Sequence, residues 1–128
     1  MNYVVDASVV TAVLLEEAGH EDGVAALETG IVSAVNVAET AAALLRRGMP
    51  SEQVVLALDA IAVRTIPADH PQAVEAGLLR RLTDAAGLSL GDRFCLALAR
   101  TLGRPVLTAD RAWLAVADAV GVKVELLR

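Results

Sequence analysis

Residues 4–8 read Val-Val-Asp-Ala-Ser, in which two β-branched residues precede an acid and two small residues. β-branched residues favour strands, and a continuous apolar run is typical of a parallel strand whose sheet is covered on both faces. This segment therefore predicts a strand over residues 2–5 and a helix over residues 7–17, joined at Asp6. A strand that leads directly into a helix begins a β–α–β unit.

The same change from an apolar run to a helical segment recurs along the chain. Strands are predicted over residues 2–5, 31–33, 63–66, 105–108 and 122–126. Helices are predicted over residues 7–17, 20–28, 36–47, 51–62, 72–86, 90–102 and 111–120, with Ser51 as an N-cap. This alternation indicates an α/β fold, a three-layer α/β/α sandwich with a mostly parallel sheet of about five strands. The length of 128 residues fits a single domain over residues 1–128.

The composition indicates an aliphatic core. Hydrophobic residues make up 55% of the chain and aromatic residues only 2%, so small aliphatic side chains fill the interior and leave apolar surface for a partner. Cys95 is the only cysteine, which excludes an intrachain disulfide. No apolar segment has the roughly 18 residues of a membrane helix, and no basic region precedes the first apolar run. We expect a cytoplasmic protein without membrane contact.

The net charge of −5 is the main objection to a nucleic-acid substrate, because proteins that bind phosphate usually carry a basic excess. Acids gathered around a divalent cation would account for part of this charge. The basic residues are almost all arginine, with Lys123 the only lysine. Arginine suits phosphate, but a GC-rich genome produces the same bias. Composition alone leaves the question open.

Four carboxylates occupy related positions in the predicted fold. Asp6 and Asp110 follow predicted strands, whereas Glu39 and Asp92 lie in the first turns of predicted helices. Helices of a parallel α/β sheet run antiparallel to its strands. We therefore expect all four acids at the edge of the sheet where such folds bind ligands.

Each acid also has a structural interpretation that the sequence leaves open. Asp6 and Asp110 could be helix N-caps. Glu39 could form a capping box with Asn36. Asp92 could have no role beyond complementing the helix dipole. Close carboxylates repel one another unless a cation lies among them, and oxygen ligands without histidine or cysteine suit Mg²⁺ or Mn²⁺ better than zinc. Paired ions of this kind can activate water for phosphodiester hydrolysis.

Four segments resemble the motifs of the PIN-domain family, in the order that the family has them. They read Val-Val-Asp-Ala-Ser (4–8), Asn-Val-Ala-Glu-Thr (36–40), Leu-Gly-Asp-Arg-Phe-Cys-Leu-Ala-Leu-Ala (90–99) and Val-Leu-Thr-Ala-Asp (106–110). No single motif is specific, but the four together, with family-like spacing over nearly the whole chain, are specific as a set.

The resemblance implies a metal-dependent endoribonuclease that uses Mg²⁺ or Mn²⁺. Asp6 and Asp92 would then be the principal metal ligands. Asp110 would complete the metal site, either directly or through water. Glu39 would complete the acidic cluster by orienting a water molecule or by acting as its base.

Three further residues are weaker candidates. Ser8 and Thr108 match positions where the family often carries a hydroxyl near the site, although each could instead cap a helix or turn. Arg93 follows Asp92 and could contact phosphate, although a solvated helix charge is the plainer interpretation.

Small stand-alone PIN domains resemble VapC toxins of type II toxin–antitoxin systems, which a VapB-type antitoxin restrains. The resemblance implies RNA as the substrate, such an antitoxin as a partner, and a homodimer. One alternative is a non-catalytic PIN fold that only binds proteins. Another is a receiver-like signalling domain, which needs a lysine after a late strand. Lys123 instead lies within the last predicted strand.

Overall fold

A computed structural model describes residues 2–128. Within this range the strands are β1 (Val4–Val5), β2 (Ile31–Ser33), β3 (Arg64–Ile66), β4 (Val106–Thr108) and β5 (Val124–Leu126). They form one parallel sheet in the order β3-β2-β1-β4-β5. The chain starts at the central strand, builds outward to β3, and then crosses back to add β4 and β5. This reversal makes the gap between β1 and β4 the topological switch point of the sheet.

Helices cover both faces of the sheet. They are α1 (Ala7–Leu14), α2 (His20–Thr29), α3 (Ala34–Arg46), α4 (Ser51–Ala60), α5 (His70–Leu78), α6 (Arg80–Thr83), α7 (Leu90–Leu102) and α8 (Ala117–Val120), with 3₁₀ turns at Asp84–Ala86 and Arg111–Ala115. Adjacent residues of β1 serve different cores. Val4 packs in the core that contains α5 and α7, and Val5 in the core that contains α1 and α2. The predicted three-layer sandwich is confirmed.

Two helix boundaries near the sheet edge differ from the prediction. α1 ends at Leu14 rather than at residue 17, and Glu16 then adopts a left-handed conformation with φ of 52°. α3 begins at Ala34, two residues earlier than predicted, because the side chain of Ser33 accepts a hydrogen bond from Val35 N and caps the helix. The burial of Ser33 at the end of β2 thus fixes where α3 starts.

The α4 boundary was also predicted wrongly. Ser51 is the first residue of α4 and not its cap, since the N-cap position belongs to Pro50. The helix ends at Ala60, two residues before the predicted end.

Two predicted long helices are interrupted in the structure. The segment predicted over residues 72–86 begins earlier, at His70, because Asp69 accepts a hydrogen bond from Gln72 N at 3.0 Å. It then divides into α5, α6 and a 3₁₀ turn around the buried Leu79. The segment predicted over residues 111–120 divides into a 3₁₀ turn and α8. Tertiary packing outweighs local helix propensity here, since the tight turn brings Trp113 into the core.

No helix within residues 2–128 combines the length and the hydropathy that a bilayer crossing requires.

The substitution Trp113→Ala should lower the free energy of unfolding by about 3–5 kcal/mol, because the indole is fully buried and its loss leaves a cavity. The matched control is Leu114→Ala, since Leu114 is 48% exposed and its truncation should cost less than about 1 kcal/mol. Urea denaturation followed by circular dichroism measures both variants. Equal losses would contradict the placement of Trp113 in the core.

Candidate active site

The four predicted acids lie on a single groove of about 380 Å³. Asp6 directly follows β1, and Asp110 follows β4 by two residues, so both lie at the switch point of the sheet. Glu39 comes from α3 and Asp92 from the first turn of α7. The predicted convergence of these four side chains on the carboxyl edge of the sheet is therefore observed.

Asp6 is the most buried of the four acids, with only 4% of its surface exposed. The hydroxyls of Ser8 and Thr108 donate hydrogen bonds to its Oδ2 at 2.7 Å and 2.9 Å. Asp6 occupies the N-cap position of α1, where its side chain forms no capping hydrogen bond of normal geometry, although the backbone N–H of Ser8 lowers its pKa. The hydroxyls of Ser8 and Thr108 also accept hydrogen bonds from Ala109 N and Asp110 N. They therefore bind the Asp6 carboxylate and shape the turn after β4 at the same time.

Burial raises the pKa of Asp6 from 3.8 to about 6, because the charged carboxylate loses its hydration. Hydrogen bonds from Ser8 and Thr108 oppose this shift, and the negative charge of Asp92 adds to it. The fold thus holds a carboxylate where its negative charge is poorly compensated by protein groups.

Glu39 lies in the second turn of α3, not in the first turn as predicted, because the helix begins at Ala34. The capping box predicted with Asn36 is wrong for the same reason, since Asn36 is already inside the helix. The Asn36 amide instead donates to Glu39 Oε1 at 2.7 Å and to the carbonyl of Gly91 at 3.0 Å. Burial raises the pKa of Glu39, the Asn36 hydrogen bond opposes this, and the charge of Asp92 adds to it.

Asp92 and Asp110 combine a capping role with a place on the groove. Asp92 forms a capping box with Ser89: Ser89 N donates to Asp92 Oδ2 at 2.9 Å, and Asp92 N donates to Ser89 Oγ at 3.2 Å. Asp110 caps the following 3₁₀ turn by accepting from Ala112 N at 3.0 Å. Each cap uses one carboxylate oxygen, and no described residue donates a hydrogen bond to the other. The pKa of Asp92 is raised, mainly by burial, and the charge of Asp110 adds to the shift.

The charge of Arg93 lowers the pKa of Asp92, but no ion pair within the described residues involves Asp6, Glu39, Asp92 or Asp110. Every ion pair found between residues 2 and 128 involves other acids. The described residues also contain no group of three or more histidine, cysteine, aspartate or glutamate side chains arranged to hold a metal ion. Mg²⁺ binds through one or two carboxylates and keeps several waters, so it requires no such cage. The all-oxygen donor set around Asp6 and Asp92 thus fits a largely hydrated divalent ion.

A basic rim borders the groove and was not among the predicted site residues. It consists of Arg46, Arg47 and Arg128. Arg46 lies seven residues after Glu39, a helical spacing that places both on one side of α3, so the sequence did contain a signal for it. No sequence pattern predicts Arg128 at the groove. Its Nη1 donates a hydrogen bond at 2.9 Å to the carbonyl of Ala18, which is 110 residues away in the sequence.

Arg93 is not among the residues that line the groove. Its guanidinium points toward α5 and donates from Nη1 to the carbonyl of Ala76 at 3.1 Å. Lys123 lies just before β5, at the amino end of that strand. A receiver-like domain needs its lysine at the opposite, carboxyl edge, so the position of Lys123 disfavours that alternative.

The family model described as PIN domain matches residues 3–119. A solved member of the VapBC family of toxin-antitoxin systems from Mycobacterium tuberculosis is 25% identical, with a TM-score of 0.64 over 99% of this chain and 98% of that one. DNA-bound VapBC from Salmonella typhimurium is 14% identical, with a TM-score of 0.75 over 100% and 99% of the two chains. VapBC2 from Rickettsia felis, bound to a promoter DNA fragment, is 16% identical, with a TM-score of 0.73 over 98% of each chain. No curated protein sequence matches the chain significantly.

In the metal-free protein, Asp6→Asn should increase the free energy of unfolding at pH 7.5 but not at pH 4. A carboxyl whose pKa is higher in the folded than in the unfolded chain holds its proton more tightly when folded. Its contribution to stability is therefore complete at low pH and is lost as the pH rises from about 4 to about 6. A pKa change from 3.8 to about 6 corresponds to about 3 kcal/mol, so a gain of roughly 1–3 kcal/mol is expected.

Chemical denaturation in EDTA across this pH range measures the effect. Asp118→Asn is the control, because Asp118 is exposed and lies outside the groove. A gain for Asp6→Asn that is the same at pH 4 and pH 7.5 would show that the Asp6 charge is not the cause.

Proposed function

Because the chain belongs to the PIN domain family, we propose that it is a ribonuclease that hydrolyses RNA phosphodiester bonds with Mg²⁺ or Mn²⁺. The observation that carries this proposal is the groove itself, which Asp6, Glu39, Asp92 and Asp110 line together without forming an ion pair in the described chain. The pKa values of Asp6, Glu39 and Asp92 are raised, and such carboxylates favour a bound cation. Asp6 and Asp92 would be the principal ligands, and Asp110 would complete the metal site, either directly or through water.

The bound ion would supply a Lewis acid that stabilises the negative charge developing on the phosphate during hydrolysis. The remaining chemistry belongs to side chains of the groove. Glu39 would accept the proton of the attacking water, because its raised pKa brings the carboxylate closer to the working pH of a general base. Asn36 occupies Oε1 of Glu39, and no other described residue bonds to this carboxylate, so Oε2 is available for that proton.

The basic rim places three arginines at the groove of a chain whose net charge is −5, two of them paired with Glu17. RNA affinity depends on the charge that faces the phosphates rather than on the total. Arg46, Arg47 and Arg128 lie beside the acids, so an RNA strand could place its scissile phosphate over the acids and neighbouring phosphates on the rim. Arginine forks fit phosphate oxygens well. Acids at the centre and arginines at the border thus support a phosphodiester substrate.

We further propose that the enzyme is a VapC-type toxin, acting in the cytoplasm and restrained by a VapB-type antitoxin. Support comes from the similarity to proteins solved as members of VapBC systems, over at least 98% of both chains. Leu45, Val55 and Leu56 are each at least 50% exposed on α3 and α4, a surface that suits protein partners. A homodimer would cover part of the same apolar surface. A PIN fold that only binds proteins is the second candidate, because these exposed side chains would serve it equally well.

The purified protein, free of antitoxin, should cut total bacterial RNA at discrete sites when Mn²⁺ or Mg²⁺ is added. EDTA, Asp6→Asn or Asp92→Asn should reduce the cleavage rate at least about 100-fold, because each removes the ion or one of its principal ligands. Asparagine keeps an oxygen that can still accept from Ser89 N, so Asp92→Asn preserves the capping box. Mapping of new 5′ ends measures cleavage, and Asp118→Asn is the active control.

Thermal unfolding with and without metal, combined with the cleavage assay, separates the two candidate functions. A ligand at about 100 times its dissociation constant stabilises the folded state by about 2.7 kcal/mol, and Asp92→Asn should abolish most of this gain. Metal stabilisation without any RNA cleavage would favour the protein-binding candidate. The absence of both metal stabilisation and RNA cleavage would refute the assignment of the four acids to a metal site.

Arg47→Gln should weaken RNA binding without changing the cleavage pattern, because a rim arginine contacts phosphates and not bases. The slope of log affinity against log salt should fall by about 0.7 or less, as expected for the loss of one contact to single-stranded RNA. Fluorescence anisotropy with an uncleavable RNA, at several salt concentrations, measures this slope. Arg80→Gln is the control, since Arg80 lies outside the groove. Equal slopes for Arg47→Gln and Arg80→Gln would show that Arg47 does not contact the RNA phosphates.

A further inference from the structure

Asn36 is fully buried, although an amide at the surface of a helix would be well hydrated. Its Nδ2 donates to Glu39 Oε1 at 2.7 Å and to the carbonyl of Gly91 at 3.0 Å. Its Oδ1 is buried and has no partner within the described chain. A buried acceptor without a partner costs free energy, so folding alone does not explain asparagine at this position.

Gly91 lies directly beneath the carboxylate of Glu39. A Cβ atom at position 91 would overlap the carboxylate carbon and both carboxylate oxygens of Glu39. Gly91 is absent from the glycines with positive φ, so its backbone conformation does not demand glycine. Glycine near the start of α7 also costs helix stability relative to alanine. The space occupied by Glu39 is therefore the reason for glycine at this position.

We propose that Asn36 and Gly91 are positioning residues that hold the Glu39 carboxylate over the acidic groove. Asn36 fixes Oε1 and ties α3 to the first turn of α7. Gly91 opens the space that the carboxylate occupies. The unpartnered amide oxygen of Asn36 and the glycine at position 91 both lower stability, and both lie against the Glu39 carboxylate. Local features of this kind are expected at functional sites. The placement of Glu39 is independent of RNA cleavage, whereas its effect on rate rests on the proposed ribonuclease function.

Gly91→Ala tests the proposal without endangering the fold. Alanine suits the helix, and the atoms it displaces belong to the end of a flexible side chain, so the melting temperature should stay equal or rise. The matched control is Gly77→Ala, because Gly77 is also helical and a Cβ there meets nothing within 4 Å. Crystal structures of both variants should show Glu39 displaced only in Gly91→Ala. A Glu39 carboxylate that keeps its place and its Asn36 hydrogen bond in Gly91→Ala would overturn the proposal.

The kinetic arm measures kcat and KM separately on a defined RNA. Gly91→Ala should lower kcat about 100-fold and change KM less than about threefold, because a displaced base affects the chemical step more than binding. Gly77→Ala should match the wild type. Unchanged kcat in Gly91→Ala, with the wild type active, would show that the position of Glu39 has no catalytic consequence. A wild type that cuts no RNA refutes the proposed function, while the crystal structures still decide the placement of Glu39.

Asn36→Ala, combined with Glu39→Ala, shows whether Asn36 acts through Glu39. The loss of kcat caused by Asn36→Ala should disappear when Glu39→Ala is already present, since residues that act as a unit are not additive. A loss that multiplies in the double variant would assign Asn36 a separate role and contradict the proposal. Gly91→Ala carries the test if Asn36→Ala does not fold.

Discussion

The parallel pairing of β1 with β4 is the constraint that creates the site. It sets Val5 beside Leu107, so the residues that follow, Asp6 and Thr108, emerge side by side and the threonine hydroxyl reaches the carboxylate at 2.9 Å. Beyond this point the chain continues from β1 into α1 on one face of the sheet and from β4 toward Trp113 on the other. A groove opens where the two paths diverge, and the protein places its acids there.

The surrounding fold makes an unfavourable arrangement of charge tolerable. Burial and mutual repulsion raise the pKa values of Asp6, Glu39 and Asp92, which means that the folded protein resists their ionisation. Two apolar cores, one on each face of the sheet, offset this cost. Such a compromise between stability and a charged site is common in enzymes. Small hydroxyl and amide groups, rather than arginine or lysine, contact the Asp6 and Glu39 carboxylates, which leaves room beside them for the cation that we propose.

Sequence periodicity was sufficient to predict the parallel sheet, its two covered faces and the edge that carries the acids. These features follow from short-range patterns and from the direction of the chain. Exact helix limits were not accessible, since they depend on contacts between distant segments. Asn36 and Glu39 have the spacing of a capping box, and only the cap at Ser33 converts them into a side-chain pair inside α3. The approach of Arg128 to Ala18 has no local signature at all.

Glu17 gives the basic rim an unusual property. Its carboxylate lies 3.4 Å from Arg47 and 3.8 Å from Arg128, so one acid pairs with two of the three rim arginines before any ligand arrives. An anion that binds Arg47 and Arg128 competes with this carboxylate, so that binding becomes an exchange of one anion for another. The counterion that departs remains tethered to the chain. It competes again as soon as the bound anion loosens, which shortens the time that any anion spends on these arginines.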